Sequence, residues 1–226
     1  MSDSILQQQI DYYRARAAEY DEWFYRHGRY DRGPEANKQW FAEVETVREA
    51  LADFKPAGKV LELASGTGLW TAELLKHPLE MTCVDASPEM IAIHQAKLQN
   101  PQITYIQADL FQWQPEDQYD MVFFSFWLSH VPAERLIPFL QTVRKALKPD
   151  GRVFILDSRR TSTSTAKDHI IPDRGTVLER KLNDGKIYQI VKVFYTPEML
   201  QRALEQADLR AEIRQTPEYF IYAVGS

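Results

Sequence analysis

Between residues 58 and 157 the chain alternates between short apolar runs and stretches with helical spacing. The runs KVLELA, MTCVDA, ITYIQAD, YDMVFFSF and GRVFILD are nearly continuous in apolar residues, as expected for strands covered on both faces of a parallel sheet. Helices are predicted at 69–77, 88–98 and 132–147, and a polar link, FQWQPEDQ, follows the third run. Strand, helix, strand repeated in this way predicts a doubly wound α/β sheet.

The flanks have a different texture. Ile5, Leu6, Ile10, Tyr13, Ala17 and Tyr20 recur at helical spacing with charges between them, which predicts one amphipathic helix over 5–25 ending near Gly28. Pro34 is placed to open a second helix through Phe54. After Asp157 the stretch SRRTSTSTAKDH is poor in apolar residues and predicts an exposed, mobile loop with no core role. TVLERKLNDGKIYQIVKVF predicts two strands about a turn at Asn183, Asp184 and Gly185. Thr196 and Pro197 open a further helix, TPEMLQRALEQAD. LRAEIRQ and YFIYAVG then form a pair that must be antiparallel, because the TPE link is too short for a crossover. The expected organisation is an N-terminal helical region, 1–55, and a sheet domain, 56–226, with an insertion at about 158–195.

Composition narrows the function classes. At 226 residues and 44% hydrophobic content the chain can bury one substantial core. Its 27 basic and 32 acidic residues are interspersed and give a net charge of -5, so no basic footprint points to nucleic acid. The single cysteine, Cys83, excludes an intrachain disulfide and a thiol metal cluster, and no histidine or carboxylate spacing matches a metal site. MSDSILQQQI lacks the features of a secretory signal, and no segment has the roughly 20 apolar residues of a membrane span. A cytoplasmic protein without a membrane partner is expected.

The stretch VLELASGTGLW carries the first chemistry. Its loop leaves a strand and enters a helix, and the small residues let backbone approach a ligand closely. No Gly-Lys-Ser or Gly-Lys-Thr follows, which excludes a P-loop, and the third small position of a dinucleotide fingerprint falls at Thr71. Glu62, just before the turn, would repel a phosphate but suits an amino group. Asp85, ending the next strand, can accept both hydroxyls of a ribose, and Asp109, after the third, can reach an adenine amino group. Three strand-end acids in this order fit one ligand with an amino-acid tail, a ribose and an adenine.

With these motifs the chain resembles the class I S-adenosylmethionine-dependent methyltransferases, of small-molecule type, over residues 58–157 and through the closing helix and hairpin. The resemblance implies a Rossmann-like seven-stranded sheet, mostly parallel with an antiparallel last strand, and an N-terminal helical lid. It implies S-adenosyl-L-methionine as cofactor, with Glu62, Ala64, Gly66, Gly68, Asp85 and Ala86 in its site. Met90, Asp109, Leu110 and Ser125 would complete that site, and Tyr20 would close over it. Ala64 departs from the glycine many members carry, so the backbone there must accept a methyl side chain.

The family places its acceptor after the fourth strand, where FFSFWLSHVP offers Trp127 as a wall with Ser129 and His130 as polar groups. His130 is the candidate general base, and it could instead be an inert residue at a helix start. The run IDYYRARAAEYDEWFYR resembles the lid helix, from which Tyr12 and Tyr13 could press on a sulfonium and Arg14 could meet a carboxylate. Tyr30 could line the acceptor's path, and His169 is a secondary candidate that solvation would make inert. The expected activity is methyl transfer to an oxygen or nitrogen of a small acceptor. Alternatives are a protein or peptide methyltransferase, a cofactor-binding protein without turnover, and a dinucleotide-dependent oxidoreductase.

Overall fold

A computed structural model describes residues 3–226, so the first two residues of the predicted 1–55 region lie outside the described residues. Five parallel strands, β1 (Gly58–Leu63), β2 (Leu79–Asp85), β3 (Ile103–Gln107), β4 (Tyr119–Ser125) and β5 (Leu147–Ser158), build the centre of the sheet. A hairpin two-stranded unit, β6 (Val177–Lys181) and β7 (Ile187–Val191), stands apart from it. Strands β8 (Ala211–Gln215) and β9 (Phe220–Gly225) complete seven in the order β3-β2-β1-β4-β5-β9-β8. Only β9 runs against the others, inserted between β5 and β8, as the short TPE link demands.

Helices cover both faces because successive strand residues point to opposite sides. On one face α3 (Pro34–Phe54) lays Trp40, Val44, Val47 and Leu51 against Val60, Met81, Phe123 and Phe154. On the other, α6 (Ala133–Ala146) and α7 (Pro197–Glu205) lay Phe139, Leu140, Leu200 and Leu204 against Leu61, Leu63, Phe124 and Ile155. Each fully buried Leu or Phe of these layers contributes roughly 2 kcal/mol. The first glycine loop leads into α4 (Thr71–Leu74), and α5 (Pro88–Leu98) follows β2. Ser87 caps α5, accepting from the Met90 amide at 3.1 Å, with Pro88 in the first turn.

Two expectations are corrected. The single helix over 5–25 is instead α1 (Asp3–Arg16), a 3₁₀ turn at Ala17–Glu19 and α2 (Tyr20–Phe24). The tighter turn redirects the chain so that Phe24 joins the core, where its carbonyl accepts from the Trp40 indole at 3.0 Å. The loop after β5 does have an interior role, since Ser164, Thr165 and Ala166 are buried. Backbone carbonyls and hydroxyls both make the attachment: the Trp23 indole donates to Ser164 O at 2.7 Å and Arg32 Nε to Thr165 O at 3.1 Å, Arg26 bonds Thr163 O, and the Thr161 and Thr163 hydroxyls donate to Glu218 Oε1 at 3.1 and 2.7 Å.

The hairpin packs on α1 through Tyr12, Leu178, Leu182 and Ile190. Buried Gln9 joins the two, accepting from the Val191 amide at 3.0 Å and donating to His130 O at 3.1 Å. Among the described residues, no helix is long and apolar enough to cross a membrane, and no group of three or more His, Cys, Asp or Glu could hold a metal ion.

Candidate active site

The carboxyl ends of β1 to β4 open into a cavity of about 250 Å³. Its floor is fixed by backbone in the left-handed region: Ala64 (φ +52°) and Gly66 (φ +54°) leave β1, and Phe126 (φ +54°) leaves β4. An alanine and a phenylalanine held there store strain of order 1 kcal/mol each. Asp85 ties the floor to the end of β2, accepting from the Gly66 amide at 2.8 Å and the Ser87 amide at 2.9 Å. Burial raises its pKa, against the pull of those amides. Asp109 accepts from the Phe111 amide at 2.9 Å. Both carboxylates line the cavity with Ala64, Gly66, Ala86, Met90, Leu110, Ser125 and Trp127.

A second, smaller cavity of about 70 Å³ adjoins it. Tyr13, Tyr20, Phe126 and His130 line both and so form the wall between them. Distant segments contribute most of the other lining residues of the second cavity, among them Tyr12 and Arg16 of α1, Tyr30, Thr165 and His169, Arg180 and Ile190 of the hairpin, and Lys192 just after it.

The His130 ring is held at both nitrogens. Nδ1 lies 2.7 Å from Val191 O, which can only accept, so Nδ1 carries the proton. Nε2 is then the acceptor for the Tyr13 hydroxyl at 2.7 Å. Burial, with Lys192 nearby, pushes His130 well below the usual histidine range, and burial raises Tyr13. At neutral pH the pair is an uncharged imidazole accepting a hydrogen bond from a neutral phenol.

Comparison with known proteins places this geometry. A family model described as a methyltransferase domain matches residues 60–151. The solved DhpI–SAH complex is 33% identical, with a TM-score of 0.78, over 100% of this chain and 98% of that one. The DhpI–SAM–HEP complex is 32% identical, with a TM-score of 0.79, over 100% and 99%. The chain belongs to the class I S-adenosylmethionine-dependent methyltransferases. An uncharacterised methyltransferase of Synechocystis sp. is 34% identical over 109 residues, 47% of this chain and 50% of that one. The trans-aconitate 2-methyltransferase of Enterobacter sp. is 38% identical over 102 residues, 44% of this chain and 38% of that one. The chain spans about half the length of the first curated relatives it matches, at 50%, 47% and 53%.

In this methyltransferase the predicted site residues divide into three groups. Tyr20, Ala64, Gly66, Asp85, Ala86, Met90, Asp109, Leu110, Ser125, Trp127, Tyr13 and His130 meet at the first cavity, and Tyr12 and Tyr30 reach only the second. Glu62, Gly68, Arg14 and Ser129 line neither. Glu62 is buried behind the loop, where the Thr71 hydroxyl bonds it and burial pushes its pKa up to about 8. Gly68 (φ +82°) lies over the His94 ring, where any Cβ would collide. Arg14 forms a surface ion pair with Glu89 at 3.0 Å, and Ser129 Oγ accepts from Lys192 Nζ at 2.7 Å.

His169 is half-buried, with the Lys181 amide donating to Nε2 at 3.1 Å, so the expectation of a solvated ring is corrected. Sequence reasoning missed Arg16, Arg180 and Lys192. A signal existed in VLERK, where strand alternation puts Arg180 on the same inward face as Leu178.

Proposed function

We propose that this chain transfers the methyl group of S-adenosylmethionine to an oxygen or nitrogen of a small acceptor held in the second cavity. The observation that carries the reading is the shared wall: the strand-end carboxylates line one cavity only, and Tyr13, Tyr20, Phe126 and His130 separate it from a second, polar one. Asp85 and Asp109, with the left-handed backbone at Ala64 and Gly66, suit the ribose and adenine of the cofactor. The cofactor supplies an electrophilic methyl on a sulfonium.

The protein's part is alignment and exclusion of water. Tyr13 and Tyr20 can stabilise a sulfonium through their rings. His130 fixes the Tyr13 hydroxyl, which makes it a positioning residue in this arrangement. The N-terminal segment, walling both cavities, acts as a lid. Relatives include the quinone-biosynthesis C-methyltransferase UbiE of Idiomarina loihiensis, 27% identical over 168 residues. The arginines and tyrosines of the second cavity favour a heteroatom acceptor here.

Calorimetric titration with S-adenosylhomocysteine and with NAD tests the reading. Binding of the first alone, with slower hydrogen exchange in residues 5–30, is expected. Binding of NAD in its place would overturn it. Binding without turnover across a panel of phenols, acids and amines would leave a cofactor sensor.

A further inference from the structure

The second cavity is unusual in its charge. Arg16 and Arg180 are 8% and 7% exposed, and the Lys192 side chain is 9% exposed. Buried guanidinium groups are normally paired with carboxylates, because leaving water without a counter-charge is costly. Among the described residues, neither arginine has a carboxylate at ion-pair distance. Arg16 reaches the Tyr30 hydroxyl at 3.4 Å and lies 4.8 Å from the Tyr20 ring centroid, while Arg180 donates to Glu179 O at 3.1 Å. Lys192 has Asp157 at 3.5 Å, and that carboxylate already accepts from the Ser129 and Ser158 amides at 2.8 and 2.7 Å. Two positive charges therefore face the cavity without compensation.

Two further groups are unsatisfied. The Tyr12 hydroxyl and Arg16 Nε, both buried, have no hydrogen-bond partner in the protein. A buried donor without an acceptor costs about 1–3 kcal/mol, and tyrosines and arginines set around one small space supply donors in excess of acceptors. What is missing from the cavity is negative charge and acceptor oxygens.

We propose that the second cavity takes the methyl acceptor as a small oxyanion, a carboxylate, phosphate or phosphonate, gripped by Arg16, Arg180 and Lys192. The inference rests on the methyl-transfer reading and names its substrate class. A lone pair of the oxyanion forms the new O–CH₃ bond as the C–S bond of the sulfonium breaks. The C–S pair stays on sulfur, giving the neutral thioether, while the acceptor loses one negative charge. No proton moves, so the reaction requires no base, in keeping with a His130 whose nitrogens are both engaged. A protonated amine would be repelled by the arginines, and a neutral alcohol would leave their charge uncompensated.

The test uses the full chain with S-adenosylmethionine and four matched probes: benzoate, phenylphosphonate, benzyl alcohol and benzylamine, scored by S-adenosylhomocysteine release and product mass. Inorganic phosphate and acetate are added as competitors. Methyl ester from at least one oxyanion, no methyl ether from the alcohol and no N-methylated amine, and competitive inhibition by phosphate or acetate are expected. Which oxyanion reacts separates carboxylate from phosphorus acceptors. Arg180→Gln should raise KM for the oxyanion by about 10-fold to 100-fold, as loss of a charge-assisted contact predicts, and leave the S-adenosylhomocysteine Kd unchanged.

Should Arg180→Gln fail to fold, Lys192→Gln and the wild-type competition carry the test. Turnover of the alcohol or amine without any response to oxyanions, in a protein that binds S-adenosylhomocysteine, would overturn the inference alone. Failure of the wild type to bind S-adenosylhomocysteine would overturn the methyl-transfer reading as well.

Discussion

The two cavities differ in how they are made. The first is built where four adjacent strands end, its shape set by backbone at Ala64, Gly66 and Phe126 and by two carboxylates that anchor neighbouring amides. The second is assembled from side chains of α1, of the loop after β5 and of the β6–β7 hairpin, brought together across more than 150 positions of chain. One depends on conformation and the other on charge, so different substitutions should damage each.

The largest effect is expected where backbone matters most. Gly68→Ala would place a methyl on the His94 ring at a φ of +82°. It should cost roughly 3 kcal/mol, read as a lower urea midpoint. A stability within 0.5 kcal/mol of wild type, by the same extrapolation error that limits such measurements, would show that the loop moves freely. Asp85→Ala should come next, weakening S-adenosylhomocysteine binding by about 10-fold to 100-fold through loss of charge-assisted contacts. Phosphate or acetate affinity should be unchanged, since Asp85 lines only the first cavity. Equal loss at both would mean the cavities are one site.

The same contrast explains what could be read in advance. Buried parallel strands declare themselves as continuous apolar runs, and the carboxylates at their ends, Asp85 as the last residue of β2 and Asp109 just beyond β3, are fixed by strand length. Glu62 lies one residue inside β1, so strand alternation turns it under the loop toward Thr71, away from the cavity. The second cavity has no such local rule. Arg180 has only the alternation of its short strand to mark it, and for Arg16 and Lys192 it is the tertiary packing of the hairpin on α1 that makes their burial evident. Arg14, two positions from Arg16, projects from another side of the helix and meets Glu89.

The wall shared by the two cavities gives a smaller effect and a sharper distinction. If His130 removed a proton, His130→Gln would cut turnover by roughly 100-fold or more. With an oxyanion acceptor, His130→Gln and Tyr13→Phe should each cost less than about 10-fold, the scale of one hydrogen bond at 2.7 Å. Their combination should cost little more than either, because they act as a pair. A steady-state double-mutant cycle measures this, and additive losses would separate the two roles.

The smallest effect concerns Glu62, which is tied to the loop of the first cavity without lining it. Burial raises its folded-state pKa to about 8, whereas an unfolded glutamate titrates near 4.3. Between these values the folded protein holds a proton that the unfolded chain has released, so stability declines as pH rises. The contribution is fully present below about pH 4 and is lost progressively toward pH 8. Glu62→Gln, which keeps the shape and cannot ionise, removes this slope. Relative to wild type, the glutamine variant should gain on the order of 1 kcal/mol between pH 5 and pH 7, relaxation around the carboxyl making the change smaller than the limiting ~1.4 kcal/mol per pH unit. Paired urea denaturation curves at the two pH values measure the difference, and parallel stability profiles for the two proteins would show that Glu62 is ionised in the fold.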